Sequence, residues 1–287
     1  MDILNSVLHA LVACDDPRIQ DWILFNNPFP VGFVLFGYFY FVFVCGPRFM
    51  KNRKPYSLKT FIRIYNISQI VINSVIVYKF IKGGWYTRIW IYCVPITYES
   101  FPGHEEFLIA GWLAIISKMM DMLETAIFIL RKKEKQISFL HLYHHISTLL
   151  IGWILGKNNI DGMALVIPLV NCSVHVIMYI YYFFSSFEGK IRIIVSKYKH
   201  WITIMQMTQF ILLAAHNLQG FLPSCKVNKI SASFIVFNYV TNFFLFYDFY
   251  KKTYLKKNIK YSYYVRKFFD KLPNKLSQLI QTWISLD

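Results

Sequence analysis

Charge is scarce in this chain. Only 16% of its 287 residues are Asp, Glu, Lys or Arg, and just 15 are acidic. That excludes ordinary soluble composition. With 56% hydrophobic residues, 19% aromatic residues and a mean hydropathy of +0.39, it points to a polytopic membrane protein. Repeats and low-complexity stretches are lacking too. The first residues have no basic region ahead of an apolar run but carry Asp2, Asp15, Asp16 and Asp21, so no cleavable signal peptide is expected. Cysteines number five, at 14, 45, 93, 172 and 225, and the sequence by itself does not choose a pair among Cys14, Cys93 and Cys225.

What is present is a series of apolar segments. Lipid cannot satisfy an open sheet edge, so an all-α bundle is expected. Segments at 29–46, 61–81, 107–130, 137–155, 162–185, 202–222 and 230–249 each approach the ~20 residues of a spanning helix. Residues 89–98 are too few to cross and read as an interfacial segment. The net charge of +16 would suit nucleic acid, but the basic residues cluster between apolar segments. Odd loops and the C-terminal tail hold 22 Lys and Arg, the other side 6. This predicts seven spans, an N-terminus outside, a cytosolic C-terminus and no nucleic-acid partner. Residues 1–255 form one polytopic domain on this reading, and 256–287 a basic tail, either lying on the membrane surface or disordered. The sequons Asn66-Ile-Ser68 and Asn171-Cys-Ser173 fall inside spans.

Ionisable groups inside spans are costly and persist mainly where they work. Lys118-Met-Met-Asp121-Met-Leu-Glu124-Thr125 lies in the third span, and His141-Leu-Tyr-His144-His145 opens the fourth. Asn171 and His175 lie in the fifth, with Tyr179 and Tyr182 following; Thr203, Gln206 and Gln209 lie in the sixth. Spacings of three and four place each set on one helix face. At ~1.5 Å of rise per residue the sets lie at similar depth near the cytosolic side. The other halves of these spans are almost wholly apolar. A polar chamber with an apolar continuation suits an amphiphile with a polar head and a long tail.

Blander readings apply to single residues. His216 and Asn242 read as helix–helix hydrogen-bonding groups, Tyr181 and Tyr182 suit interfacial anchoring, and Lys118 with Asp121 or Glu124 suits a structural ion pair. The three histidines on one face have little packing value. Two chemistries compete for them. As metal ligands, with Asp121 or Glu124, they would suit a membrane lipid oxygenase or desaturase, although such di-iron enzymes use about eight histidines in several boxes. As nucleophile and general base, imidazoles attack thioesters and move protons near neutrality. Lys118 and nearby amides would then stabilise an oxyanion or enolate. A non-enzymatic seven-span receptor or transporter fits the topology but leaves the histidines unexplained.

In this order, Lys-x-x-acid-x-x-acid-Thr, His-x-x-His-His, Asn-x-x-x-His-x-x-Met-Tyr-x-Tyr-Tyr and Thr-x-x-Gln-x-x-Gln resemble the ELO family of very-long-chain fatty acid elongases. Asp16-Pro17-Arg18, Gly46-Pro47-Arg48-Phe49-Met50 and Arg53-Lys54-Pro55-Tyr56 add to the match, which covers roughly residues 16–255. Two positions depart from the family pattern. Asp121 and Glu124 exchange the usual Glu and Asp, and Asp248 replaces an Asn before Phe249-Tyr250.

The resemblance implies a condensing enzyme of the endoplasmic reticulum membrane that joins long-chain acyl-CoA to malonyl-CoA, giving 3-oxoacyl-CoA, CO2 and CoA. It implies a barrel of spans two to seven around an acyl tunnel, with the first span peripheral. It implies His144 as the acyl-accepting nucleophile, His141 and His145 as orienting or deprotonating groups, and His175 at the condensing carbon. Lys118, Asp121, Glu124, Thr125, Asn171, Tyr179, Tyr182, Gln206 and Gln209 would bind substrate, and Cys93 would pair with Cys225. No metal or other cofactor is expected. Partners would be the two CoA thioesters, membrane lipids, and the reductases and dehydratase of the elongation cycle; homodimerisation stays open.

Overall fold

The computed structural model describes residues 14, 16–84, 93, 102–158 and 162–255. The tail 256–287 and, apart from Cys93, the interfacial segment 89–98 lie outside the described residues. Among those described, every long element is helical and no strand occurs. The elements are α1 (Phe29–Met50), α2 (Lys59–Lys82), α3 (His104–Asp121), α4 (Leu123–Leu130), α5 (Phe139–Asn158), α6 (Val166–Ser185), α7 (Lys190–Ser196), α8 (Lys199–Leu218) and α9 (Lys229–Leu255). Each expected segment is therefore helical. By length and composition, α1, α2, α6 and α9 are apolar enough to cross a membrane. The short α7, lying in the fifth loop, was not foreseen.

Local chemistry sets the helix ends. Asn27 Oδ1 accepts from Phe29 N at 3.1 Å, and Pro28 and Pro30 flank the start of α1, where a missing N–H costs nothing. Asn228 Oδ1 caps α9 through Ile230 N (2.9 Å) and Ser231 N (3.3 Å). Ser138 Oγ accepts from His141 N at 3.3 Å, so α5 begins just before its histidines. Within α1, Pro47 has no N–H to give, and the preceding turn, Phe41–Cys45, widens to a π turn in which Gly46 N–H reaches Phe41 O. Gly46 also permits close packing, since a Cβ there would lie 2.9 Å from the Ile129 side chain of α4.

The helices pack pairwise. α2 lies along α3 and α6, α8 along α6 and α9, and α5 along α3 and α9, while α1 packs on α4. Residues 16–27 fold against the end of α5 remote from its histidines. Trp153 Nε1 donates to Leu24 O at 2.7 Å, and Phe25 is fully buried beside Gly156. Asp16, also fully buried, takes Arg18 Nε at 2.8 Å and Nη2 at 2.7 Å in a bidentate clasp. Cys93 and Cys225 are joined by a disulfide. At the turn into α3, Gly103 has φ of +89° against Gly83, leaving no room for a side chain.

Candidate active site

Helix α3 breaks at Met122, and the break separates the two acids. Before it, Lys118 and Asp121 are buried and paired, Lys118 Nζ lying 3.0 Å from Asp121 Oδ2. Asp121 Oδ1 accepts from Tyr179 Oη at 2.8 Å and from Gln69 Nε2 at 3.0 Å. Its carboxylate is thus held by three donors from α2, α3 and α6. A buried carboxylate needs such a set, because each unpaired lone pair would forfeit its hydration.

His175, on α6, meets the same ion pair. Lys118 Nζ lies 3.3 Å from its Nε2, and Asp121 Oδ2 lies 3.7 Å from its Nδ1. An ammonium only donates, so Nε2 of a neutral His175 accepts and its proton resides on Nδ1. Behind Asp121 a further layer of polar groups continues. Tyr65 Oη lies 3.3 Å from Tyr179 Oη and accepts from Gln69 Nε2 at 3.0 Å, and Asn73 Nδ2 donates to Gln69 O at 2.8 Å.

Beyond the break, Glu124 turns away from Lys118. Its carboxylate lies 3.7 Å from His145 Nε2, so only Asp121 forms the ion pair that either acid was expected to make. His141 and His145 stack edge to face with ring centroids 4.2 Å apart. His141 Nε2 lies 2.8 Å from Thr125 Oγ1, which lies 2.8 Å from Tyr38 Oη. The first helix therefore reaches the histidines through one hydroxyl. Glu124, His141 and His145 each place a ligand atom within 4.8 Å of the others, a two-histidine, one-carboxylate set able to take a cation.

His144 faces the opposite neighbour, α9. Its Nδ1 lies 3.1 Å from Asn242 Oδ1, and its ring meets Phe210 and Phe246 edge-on. Asn242 and Phe210, both in contact with His144, line a cavity of about 100 Å³, whose lining includes none of the histidines themselves. Lys118, Asn171, Gln209, Asn238 and Asn242 line its polar end. The lining continues through Ile115, Ile151, Gly152, Leu155, Gly156 and Leu213, away from the histidines. Asn171 Oδ1 and Gln209 Oε1 are buried without a partner among the described residues and so are available to a ligand. The space is close to that of a benzene-binding cavity, so a long chain needs lining side chains to yield.

The expected residues thus converge, with two exceptions. Tyr182 is 37% exposed and meets the rings of Tyr179 and Tyr181 edge-on. Gln206 donates to Met178 Sδ at 3.1 Å rather than into the cavity. Sequence reasoning missed Tyr38, Tyr65, Gln69, Asn73 and Asn238, and took Asn242 for a helix–helix group. Its bond does join two helices, but the partner is a candidate catalytic histidine. The i,i+4 pairs Gln69/Asn73 and Asn238/Asn242 were the available signal.

Residues 23–277 match the ELO family, described as GNS1/SUR4, and the matched range runs beyond residue 255 into the tail. Very long chain fatty acid elongase 1 of Homo sapiens is 38% identical over 259 residues, which cover 89% of this chain and 92% of the relative. Its Mus musculus counterpart is 36% identical over the same shares. Very long chain fatty acid elongase 7 of Drosophila melanogaster is 33% identical over 249 residues, 85% of this chain and 74% of the relative. By the extent of the family match and these identities, the chain belongs to the ELO, or GNS1/SUR4, family.

Proposed function

We propose that this protein is a very-long-chain fatty acid elongase of the endoplasmic reticulum membrane, condensing long-chain acyl-CoA with malonyl-CoA. The observation that carries the reading is the placement of His144. Its ring meets Asn242, which with Lys118, Asn171 and Gln209 lines the polar end of a cavity whose far end is apolar. A thioester head and a fatty tail match those two environments.

The chemistry follows from the groups present. A ring nitrogen of His144 adds to the acyl thioester carbonyl; the C–S bond breaks and CoA leaves as thiolate. Malonyl-CoA then loses CO2, and the resulting C2 enolate attacks the acyl carbonyl on His144, releasing the imidazole. The product is a 3-oxoacyl-CoA two carbons longer. Lys118, with His175 held against its ammonium, stands to meet the enolate oxygen, while His141 and His145 orient the thioester head. Gln209 and Asn171 offer their unpartnered amide oxygens to the phosphopantetheine arm.

Seven spans, with α3 and α4 acting as one, fit the alternation of basic loops; the N-terminus would be lumenal and the C-terminus cytosolic. The pairwise packing of α3, α2, α6, α8, α9 and α5 runs round in a ring, which supports a barrel with α1 outside. The cycle's reductases and dehydratase would take the product onward.

The purified protein given stearoyl-CoA and malonyl-CoA, without a nicotinamide reductant, tests the reading. Mass spectrometry should find the 3-oxoacyl-CoA two carbons longer; its absence from folded protein would count against condensation. The Glu124, His141 and His145 set favours a second reading, a metal-dependent lipid oxygenase. The elongase reading needs no metal. Activity that vanishes with chelation and returns with one metal would support the second.

A further inference from the structure

Asn242 is fully buried on α9, one turn after Asn238. Its Nδ2 donates to the main-chain oxygen of Asn238 at 2.9 Å and to Asn238 Oδ1 at 3.1 Å. A main-chain oxygen only accepts, so the amide nitrogen of Asn242 must face it, and Oδ1 must face His144. An amide oxygen only accepts in turn. His144 Nδ1, 3.1 Å away, therefore carries the proton. A neutral imidazole has one N–H, so the lone pair lies on Nε2. Nε2 has no hydrogen-bond partner among the described residues.

The orientation of Asn238 is fixed as well. Tyr143 Oη donates to its Oδ1 at 3.2 Å, and Asn242 Nδ2 donates to the same oxygen. Two adjacent residues of α5, Tyr143 and His144, are thus tied to an i,i+4 amide pair on α9. The bonds converge on Asn238: His144 Nδ1–H donates to Asn242 Oδ1, Asn242 Nδ2 donates on to Asn238, and Tyr143 Oη donates to Asn238 from the other side. Both Asn238 and Asn242 line the cavity.

We propose that Asn242 is the positioning residue of the nucleophile. It holds His144 in the Nδ1–H tautomer and presents Nε2 to the thioester, with Asn238 and Tyr143 holding Asn242 in turn. The inference rests on the elongase reading and deepens it. In the acylation step the Nε2 lone pair forms the N–C bond as the thioester C–S bond breaks and thiolate leaves. The amide oxygen cannot take the Nδ1 proton. The adduct is therefore an acyl-imidazolium whose N–H stays bonded to Asn242, and its positive charge makes the acyl carbon more open to the enolate.

The test follows acylation of the full-length protein by stearoyl-CoA without malonyl-CoA, read as CoA release and as intact-protein mass. Wild type should gain one stearoyl group and His144→Ala none. Asn242→Leu, which keeps the volume and removes the acceptor, should acylate about 10-fold more slowly or worse, with the KM for stearoyl-CoA little changed. Asn242→Asp, which restores an acceptor, should recover much of that rate. Asn242→Leu acylating at the wild-type rate would overturn the inference. So would equal loss in the Leu and Asp variants, which would reduce Asn242 to a packing role. An adduct absent from wild type, or retained in His144→Ala, would instead remove the nucleophile reading beneath it. If the Leu variant does not fold, Asn242→Ala carries the same expectations.

Discussion

Tyr179 donates a 2.8 Å hydrogen bond to Asp121 Oδ1 across the interface of α6 and α3, opposite the oxygen that pairs with Lys118. Asp121 is the anchor of the chamber. Its short side chain has donors in contact on both oxygens.

Asp121→Asn should keep the shape and strand the Lys118 ammonium. Breaking one side of a buried pair costs about 3–5 kcal/mol. Adding Lys118→Met should recover most of that stability without recovering activity. Thermal unfolding in detergent beside a condensation assay separates the two effects. A stable, active Asp121→Asn protein would show that the pair does not organise the site.

The sequence made the chamber legible because its residues are exceptional one by one. An ionisable group or a histidine triplet inside an apolar segment has few structural explanations. Hence Lys118, Asp121, His141, His144, His145 and His175 stood out; the structure sets Lys118, Asp121 and His175 in contact and His141 beside His145, with His144 turned to α9. Gln69, Asn73, Asn238 and Asn242 are uncharged, and hydropathy alone does not separate them from helix-packing amides. Tyr38 was hidden differently. It is one aromatic residue among many in a lipid-facing helix, and only the fold shows that it reaches Thr125. The break at Met122 lies between residues that read as a continuous helix, which is why Glu124 was grouped with Lys118 rather than with His145.

Thr125→Val should lower condensation activity, because His141 loses the hydroxyl at 2.8 Å that holds its ring. Tyr38→Phe should act more weakly and cost about 1 kcal/mol of stability. Full activity in Thr125→Val would remove this relay from the account.

Gly152 and Gly156 give a paired test of the cavity. A Cβ at Gly152 meets nothing within 4 Å, whereas one at Gly156 lies 2.8 Å from Ile115 and 3.3 Å from Phe25. Gly152→Leu should project into the cavity, shorten the longest products and spare short acyl-CoA, since each excluded CH2 forfeits about 0.8 kcal/mol. Gly156→Ala should instead overpack and destabilise by about 1–3 kcal/mol. Unchanged product length with Gly152→Leu would mean that acyl chains run elsewhere.

The Cys93–Cys225 bond closes a sequence separation of 132 residues. Chain-entropy reasoning gives a stabilisation of about 4–5 kcal/mol. Cys225→Ser should lower the unfolding temperature and leave activity at low temperature intact, because the bond lies apart from the histidines. Non-reducing peptide mapping should find the 93–225 linkage; free thiols at both positions, or a Cys14 linkage, would refute it.

The central claim is that His144 carries the condensation. Its most direct test compares membranes bearing wild type and His144→Ala for incorporation of labelled malonyl-CoA into longer acyl chains, with unfolding curves confirming that both proteins are folded. Wild type should incorporate label, and His144→Ala should incorporate none while unfolding at nearly the same temperature. Wild-type incorporation by the alanine protein would contradict the account.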